Sequence, residues 1–239
     1  MAAKTMFSKL SNNNNGFTIL ELIIATAIFS GALLMLMLGF LSISNSYTKG
    51  LTVTETQNVS RNVINTISQS LEFGNSTANQ LPTPEAASSG TQSGWFCTDN
   101  YVFAYTLGQE VGTVNGTKHD ALEQVPDTTC PVLGLTGCPL QGTTLPSADS
   151  CANSSGAVEL LGPRMRLTAL NIVQGPEGTY QIDTGVAYGD IQFLKGVVVS
   201  GVTQYYNTSS SKVTCTGTTA DNFCATSELQ TVVGPRIDN

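Results

Sequence analysis

Charge is scarce in this chain: Asp, Glu, Lys and Arg make up 11% of its 239 residues, against about 25% in ordinary soluble domains. There is one histidine, His119, in the polar run NGTKHDALE, and no nucleophile motif accompanies it. A Ser-His-Asp relay therefore lacks its parts, and a solvent-exposed histidine is the simpler reading. No Cys-x-x-Cys pair occurs, so zinc lacks its usual ligand set. Phosphate-cradling glycine motifs are also missing. Asp120, Glu123 and Asp127 do not follow the spaced oxygen ligands of a calcium loop and read as a solvated acidic loop. Together these absences exclude an enzyme, a metal and a cofactor from the reading. Basic residues number 10 against 17 acidic ones, for a net charge of -7. That balance disfavours a broad nucleic-acid surface. Arg164, Arg166, Lys195, Lys212 and Arg236 are the basic candidates in the distal region, so DNA contact stays a subsidiary reading.

Cysteine is absent from the first 96 residues, then occurs six times, at Cys97, Cys130, Cys138, Cys151, Cys215 and Cys224. An even number confined to a polar, Gly-rich portion indicates disulfides in an oxidising compartment. Cys215 and Cys224 bracket TGTTADNF, read as a hairpin end, and form the best candidate pair. The other four allow three pairings.

Acidic residues are missing from the N-terminus until Glu21. Residues 1–16, MAAKTMFSKLSNNNNG, carry Lys4 and Lys9. A 25-residue apolar run comes next, Phe17 to Leu41, which as helix is about 37 Å long and spans a hydrocarbon core of ~30 Å. The cationic flank stays in the cytoplasm, so the chain beyond Leu41 faces outward. An ordinary secretory signal has a shorter apolar stretch and no internal carboxylate. In GFTILELIIA, Glu21 stands alone, where a charge costs roughly 2–4 kcal/mol in hydrocarbon. Gly31 and Gly39 suit close helix packing, and Met35 and Met37 adaptable packing.

Beyond Leu41 the helical pattern continues. Phe40, Ile43, Tyr47, Leu51, Val59, Val63, Ile67 and Leu71, with Ile64 beside them, predict one apolar face, and Gly74 supplies the stop. Gly50 with Thr52, Val53 and Thr54 predicts a weakened, bent middle. The organisation is then a leader at 1–16, a long helix at 17–74 (apolar at 17–41, amphipathic at 42–74), a polar connector at 75–94 and a β-rich domain at 95–239. Within that domain, strands are predicted at Tyr101–Tyr105, Ala157–Leu161, Val197–Val202 and Phe223–Val233. Met165–Val173 and Thr179–Tyr188 form a hairpin around a Pro/Gly turn, and residues 108–156 read as disulfide-pinned loop. Five Asn-x-Ser/Thr sequons are expected in so Asn-, Ser- and Thr-rich a chain and imply no glycosylation.

The basic leader, Gly16-Phe17, Glu21 at the fifth position after the glycine and the long apolar helix resemble the type IV prepilins, which include subunits of pili, type II secretion pseudopili and DNA-uptake pseudopili. The resemblance covers about residues 1–74, and Thr18, Ile19 and Leu20 fit it. It implies an α+β fold, a long N-terminal helix packed on a C-terminal antiparallel sheet with disulfide-pinned loops. It also implies cleavage between Gly16 and Phe17 by a prepilin peptidase and N-methylation of Phe17. Loss of Lys4 and Lys9 then takes the side-chain charge from -7 to about -9. The implied partners are other pilin subunits in a helical filament, the peptidase and an inner-membrane assembly platform, with Thr18 and Glu21 in assembly and Glu21 paired to a neighbour's Phe17 amine. The implied course is single-pass inner-membrane protein, N-terminus inside, then extracellular filament, with minor pilin or pseudopilin as the expected role. The alternative is a membrane-anchored adhesin or ligand-binding module that never enters a filament.

Overall fold

The computed structural model describes residues 16–73, 92–98, 101–114, 117–126, 156–216 and 223–234. The chain divides into two compact units, Met1–Asn45 and Ser46–Asn239. A single helix, α1 (Ile19–Phe73, 55 residues), begins in the first unit and ends in the second.

In the first unit α1 is apolar on all sides and every described residue is exposed. Its hydroxyls are satisfied within the helix: Thr26 Oγ1 donates to the Ile23 carbonyl and Ser30 Oγ to the Ala27 carbonyl, both at 3.0 Å. Self-satisfied polar groups inside an apolar shell are what hydrocarbon tolerates. The helix is long and apolar enough to cross a membrane.

In the second unit α1 buries Thr52, Thr56, Ser60, Val63, Ile64, Ile67 and Leu71, a stripe stepping by three and four. Val63, Ile67 and Leu71 lie on it as the periodicity predicts. Its upper part, however, differs from the predicted face. Leu51 is 54% exposed, whereas Thr52, Thr56 and Ser60 are buried. Small hydroxyl residues can take buried positions because they bond their own helix: Thr56 Oγ1 donates to the Thr52 carbonyl at 2.8 Å and Thr52 Oγ1 to the Thr48 carbonyl at 3.0 Å. The predicted weak middle is likewise unbroken helix through Gly50, whose carbonyl accepts a further bond from Thr54 Oγ1 at 2.8 Å.

Two larger antiparallel sheets form the rest. The first joins β1 (Gln92–Cys97), β2 (Tyr101–Leu107), β5 (Leu122–Pro126) and β6 (Val158–Glu159) in that order. The second places β8 (Tyr180–Tyr188) between β13 (Ala225–Val233) and β7 (Met165–Gln174). The predicted hairpin is β7–β8, turned by a short 3-10 segment at Pro176–Gly178. Its ladder carries a bulge between Leu167 and Ala169. Gly185 faces the bulge, where a Cβ would meet Thr168 Oγ1 at 2.6 Å. Three two-stranded ribbons complete the described residues: β3 (Gly112–Val114) with β4 (Thr117–His119), β9 (Leu194–Lys195) with β12 (Thr214–Cys215), and β10 (Val197–Val199) with β11 (Val202–Gln204).

The main core combines Val63, Ile67 and Leu71 of α1 with Phe96, Phe103, Leu122, Met165, Leu167, Ile172 and Ile182 of the two sheets. Phe96 and Phe103 stack at 4.7 Å with planes 7° apart. Each such side chain contributes about 1.5–3 kcal/mol when fully buried. A smaller cluster gathers Ala187, Leu194, Val197, Val213 and Cys224.

Several expectations change. The chain between 108 and 126, read as loop, contains β3, β4 and β5, short strands whose Gly, Thr and Pro content conceals their pairing. Strand β1 begins at Gln92, inside the stretch read as connector, because QSGWFC pairs in register with β2. The class is mixed α+β, as expected from the sequence.

Candidate functional site

The start of α1 is organised by its own side chains. Gly16, Phe17 and Thr18 precede the helix in non-helical backbone, and Phe17 is 89% exposed. The Thr18 N–H donates to Glu21 Oε2 at 2.9 Å, the Thr18 hydroxyl to the same oxygen at 3.1 Å, and the Glu21 N–H to Thr18 Oγ1 at 3.2 Å. This reciprocal pair is a capping box. It satisfies two of the first-turn donors that a helix leaves without partners and sets a carboxylate at the positive end of the helix dipole. Glu21 thus has a local role that the family resemblance does not supply. The signal was in the sequence, as Thr-x-x-Glu ahead of an apolar run. Lys4 and Lys9 lie outside the described residues.

In the β domain the disulfide joins Cys215 and Cys224, with Cα atoms 5.8 Å apart. The pair is the one expected, but its setting is different. Cys215 ends β12, which pairs with β9, so the bridge ties the β9–β12 ribbon to the chain entering β13 rather than closing a hairpin end. The pairing of Cys97, Cys130, Cys138 and Cys151 falls outside the described residues.

Asp120 and Glu123 do not lie in a solvated loop, and Asp127 falls outside the described residues. Asp120 and Glu123 are 0% and 1% exposed, and Glu159 stands opposite Glu123 across the β5–β6 ladder. Glu159 accepts main-chain N–H bonds from Ala121 at 2.7 Å, Leu122 at 3.1 Å and Leu161 at 2.8 Å. Its carboxylate therefore holds the two-residue strand β6 against β5. Burial pushes the Glu159 carboxyl up to about 7 from its ordinary 4.5, outweighing the three N–H donors that pull it down, and Asp120 adds to the push. The folded chain then binds this proton more tightly than the unfolded one. The associated stability is complete below the unfolded value and is lost as pH rises through about 7. Chemical-denaturation midpoints should accordingly fall between about pH 5 and pH 8, by an equivalent of up to about 3 kcal/mol. Glu159→Gln should flatten that slope; an unchanged slope would place the titration elsewhere.

His119 sits on β4, half-buried, with Nδ1 3.1 Å from Gln109 Nε2. The solvent-exposed histidine of the sequence reading is therefore corrected: strand pairing carries it against the domain. Among the described residues no three His, Cys, Asp or Glu side chains are grouped to hold a metal ion. The basic candidates are dispersed. Arg164 pairs with Asp190 at 2.6 Å, Arg166 is buried against Glu110, and Lys212 pairs with Glu228. Lys195 is exposed, and Arg236 lies outside the described residues. Three of these four described cations are thus engaged by carboxylates, which leaves little for phosphate. A groove of about 430 Å³ opens over β8 and β13, lined by polar side chains such as Asp183, Asn207, Lys212 and Glu228 together with Ala169 and Leu229. Its ion pair and the Asn207–Glu228 bond at 2.9 Å occupy one another.

Compared with models of known protein families, with curated proteins and with solved structures, the chain matches none.

Proposed function

We infer that the chain is a structural subunit of a type IV pilus-like filament, a minor pilin or pseudopilin. In this reading a prepilin peptidase removes residues 1–16, and the new Phe17 amine meets Glu21 of a neighbouring subunit. The observation that carries it is one carboxylate in the first turn of α1, whose part within the first unit is otherwise apolar and exposed, shortly after Gly16-Phe17. A bundle of such helices excludes water and lipid, and an uncompensated charge inside it is costly whereas a paired one is not. Aliphatic packing supplies the bulk attraction; the ion pair selects the axial register. The partners on this reading are other pilin subunits, the peptidase and an inner-membrane platform, with the membrane itself before assembly, and no catalysis is assigned to the chain.

Mass spectrometry of sheared surface filaments, from cells with and without the peptidase, tests the reading. The expected result is a chain beginning at a methylated Phe17, recovered with other subunits only when the peptidase is present. A chain intact from Met1 and retained in the cell would overturn it in favour of an anchored binding module. Gly16→Trp should likewise block processing, because the recognised position can no longer be small; a normally shortened product would count against it.

A further inference from the structure

The ribbon β10–β11 is apolar where it should be least so, at its tip. Ser200 and Gly201 both adopt positive φ, 51° and 82°, and join the strands through a tight two-residue turn. Beside that turn Val198 is 69% exposed and Val202 56%. Val199 stands opposite Val202 in the ladder, so those two share a face, on which Val199 packs against the smaller cluster and Val202 stays exposed, and Val198 occupies the other. Lower down, Val197 and Gln204 are buried and root the ribbon in the domain. An isolated exposed valine means nothing. Valines on both faces of a projecting turn have a stricter consequence. A flat protein partner covers one face of a ribbon and leaves the other wet, whereas a fluid lipid boundary closes around both.

Charge points the same way. No Asp or Glu occurs between Asp190 and Asp221, in a chain whose net charge is -7, while Lys195 and Lys212 lie within that stretch. Lys212 is taken by Glu228. Lys195, exposed at the base of the ribbon, has no acidic partner among the described residues. An apolar tip above an unopposed ammonium, with acidic side chains excluded from the surrounding sequence, matches the headgroup–acyl boundary of an anionic bilayer.

We propose that the β10–β11 tip inserts into the surface of an anionic phospholipid bilayer, with Val198 and Val202 entering the acyl boundary and Lys195 meeting the headgroups. The site is independent of α1 and of filament assembly, so it stands or falls separately from the pilin reading.

The test uses the full-length chain held in nanodiscs, with Val198→Trp as reporter and the parent chain, whose Trp95 is buried, as baseline. Phosphatidylglycerol with brominated chains is placed in the nanodisc or in added vesicles, with equally brominated phosphatidylcholine as control. The expected result is a quench of the reporter of about twofold or more by the brominated anionic lipid. It should be absent with phosphatidylcholine, weakened by salt, and lost in Val202→Asp. Lys195→Glu, remote from the apolar tip, should reduce it about threefold, and unchanged melting of each variant confirms that the domain is intact. An unquenched reporter, or a quench indifferent to Val202→Asp and Lys195→Glu, overturns the proposal. So does a reporter shift that follows protein concentration and ignores the lipid, since the tip would then be meeting a second copy of the chain.

Discussion

On the pilin reading, Glu21→Gln is expected to leave leader removal and the start of α1 intact while lowering filament incorporation by roughly a hundredfold. The substitution separates the cap that Glu21 forms with Thr18 from the counter-ion role that the pilin reading proposes for it. Glutamine serves at the third position of a capping box as glutamate does, so the bonds with Thr18 keep an acceptor. What disappears is the negative charge. If that charge neutralises a neighbour's amine inside a helix bundle, its loss leaves a buried cation at a cost of about 3 kcal/mol or more. Thr18→Val is the converse: it removes the hydroxyl of the cap, worth about 1 kcal/mol, and keeps the carboxylate. Quantifying the subunit in sheared filaments checks both. If Thr18→Val proves as damaging as Glu21→Gln, the carboxylate matters as a cap and the register argument fails.

The second large effect concerns Arg166. Its side chain is 4% exposed, paired with Glu110, bonded through Nη1 to the Gly108 carbonyl at 3.2 Å, and set over the Tyr205 ring at 5.4 Å. Burial lowers the pKa of this guanidinium, and the Glu110 carboxylate opposes that loss. The contact fastens β7 to the segment before β3, where Glu110 bridges Arg166 directly. Glu110→Ala removes the counter-charge and leaves the cation buried. Glu110 is itself about a quarter exposed, so solvent softens the loss to about 2–3 kcal/mol, or roughly 5–10 °C in Tm. The double variant Glu110→Leu/Arg166→Met should recover most of that, because an apolar pair of similar volume carries no desolvation penalty. A double variant as unstable as the single one would mean that the loss comes from shape rather than charge.

The sequence was most legible where one pattern dominated. Apolar density announced α1, its length and the lower half of its buried stripe, Val63 to Leu71. Alternating β-branched residues around Gly175–Gly178 announced the β7–β8 hairpin. The upper half of the stripe was hidden because Thr52, Thr56 and Ser60 look polar; the bonds of Thr52 and Thr56 to the preceding turn fit them for burial, and Ser60 is simply small. Asp120, Glu123 and Glu159 were hidden for a related reason. Residues 120 and 159 are distant in sequence, and the donors that receive Glu159 are main-chain groups with no signature in side-chain composition. Glu21 was the instructive case at the candidate site: one residue carried both a family motif and a cap, and the louder pattern masked the quieter.

The cap also bears on the effect of trimming the chain. Among the described residues, the hydrogen bonds that set the first turn, including Leu22 N–H to the Thr18 carbonyl at 3.2 Å, lie downstream of the Gly16–Phe17 linkage. Under the pilin reading, hydrolysis at that linkage therefore leaves each of those bonds in place. Maturation becomes a purely electrostatic edit, swapping a neutral amide for an ammonium on scaffolding already fixed, so a membrane-resident pool could wait fully shaped until a single cut made it competent to polymerise.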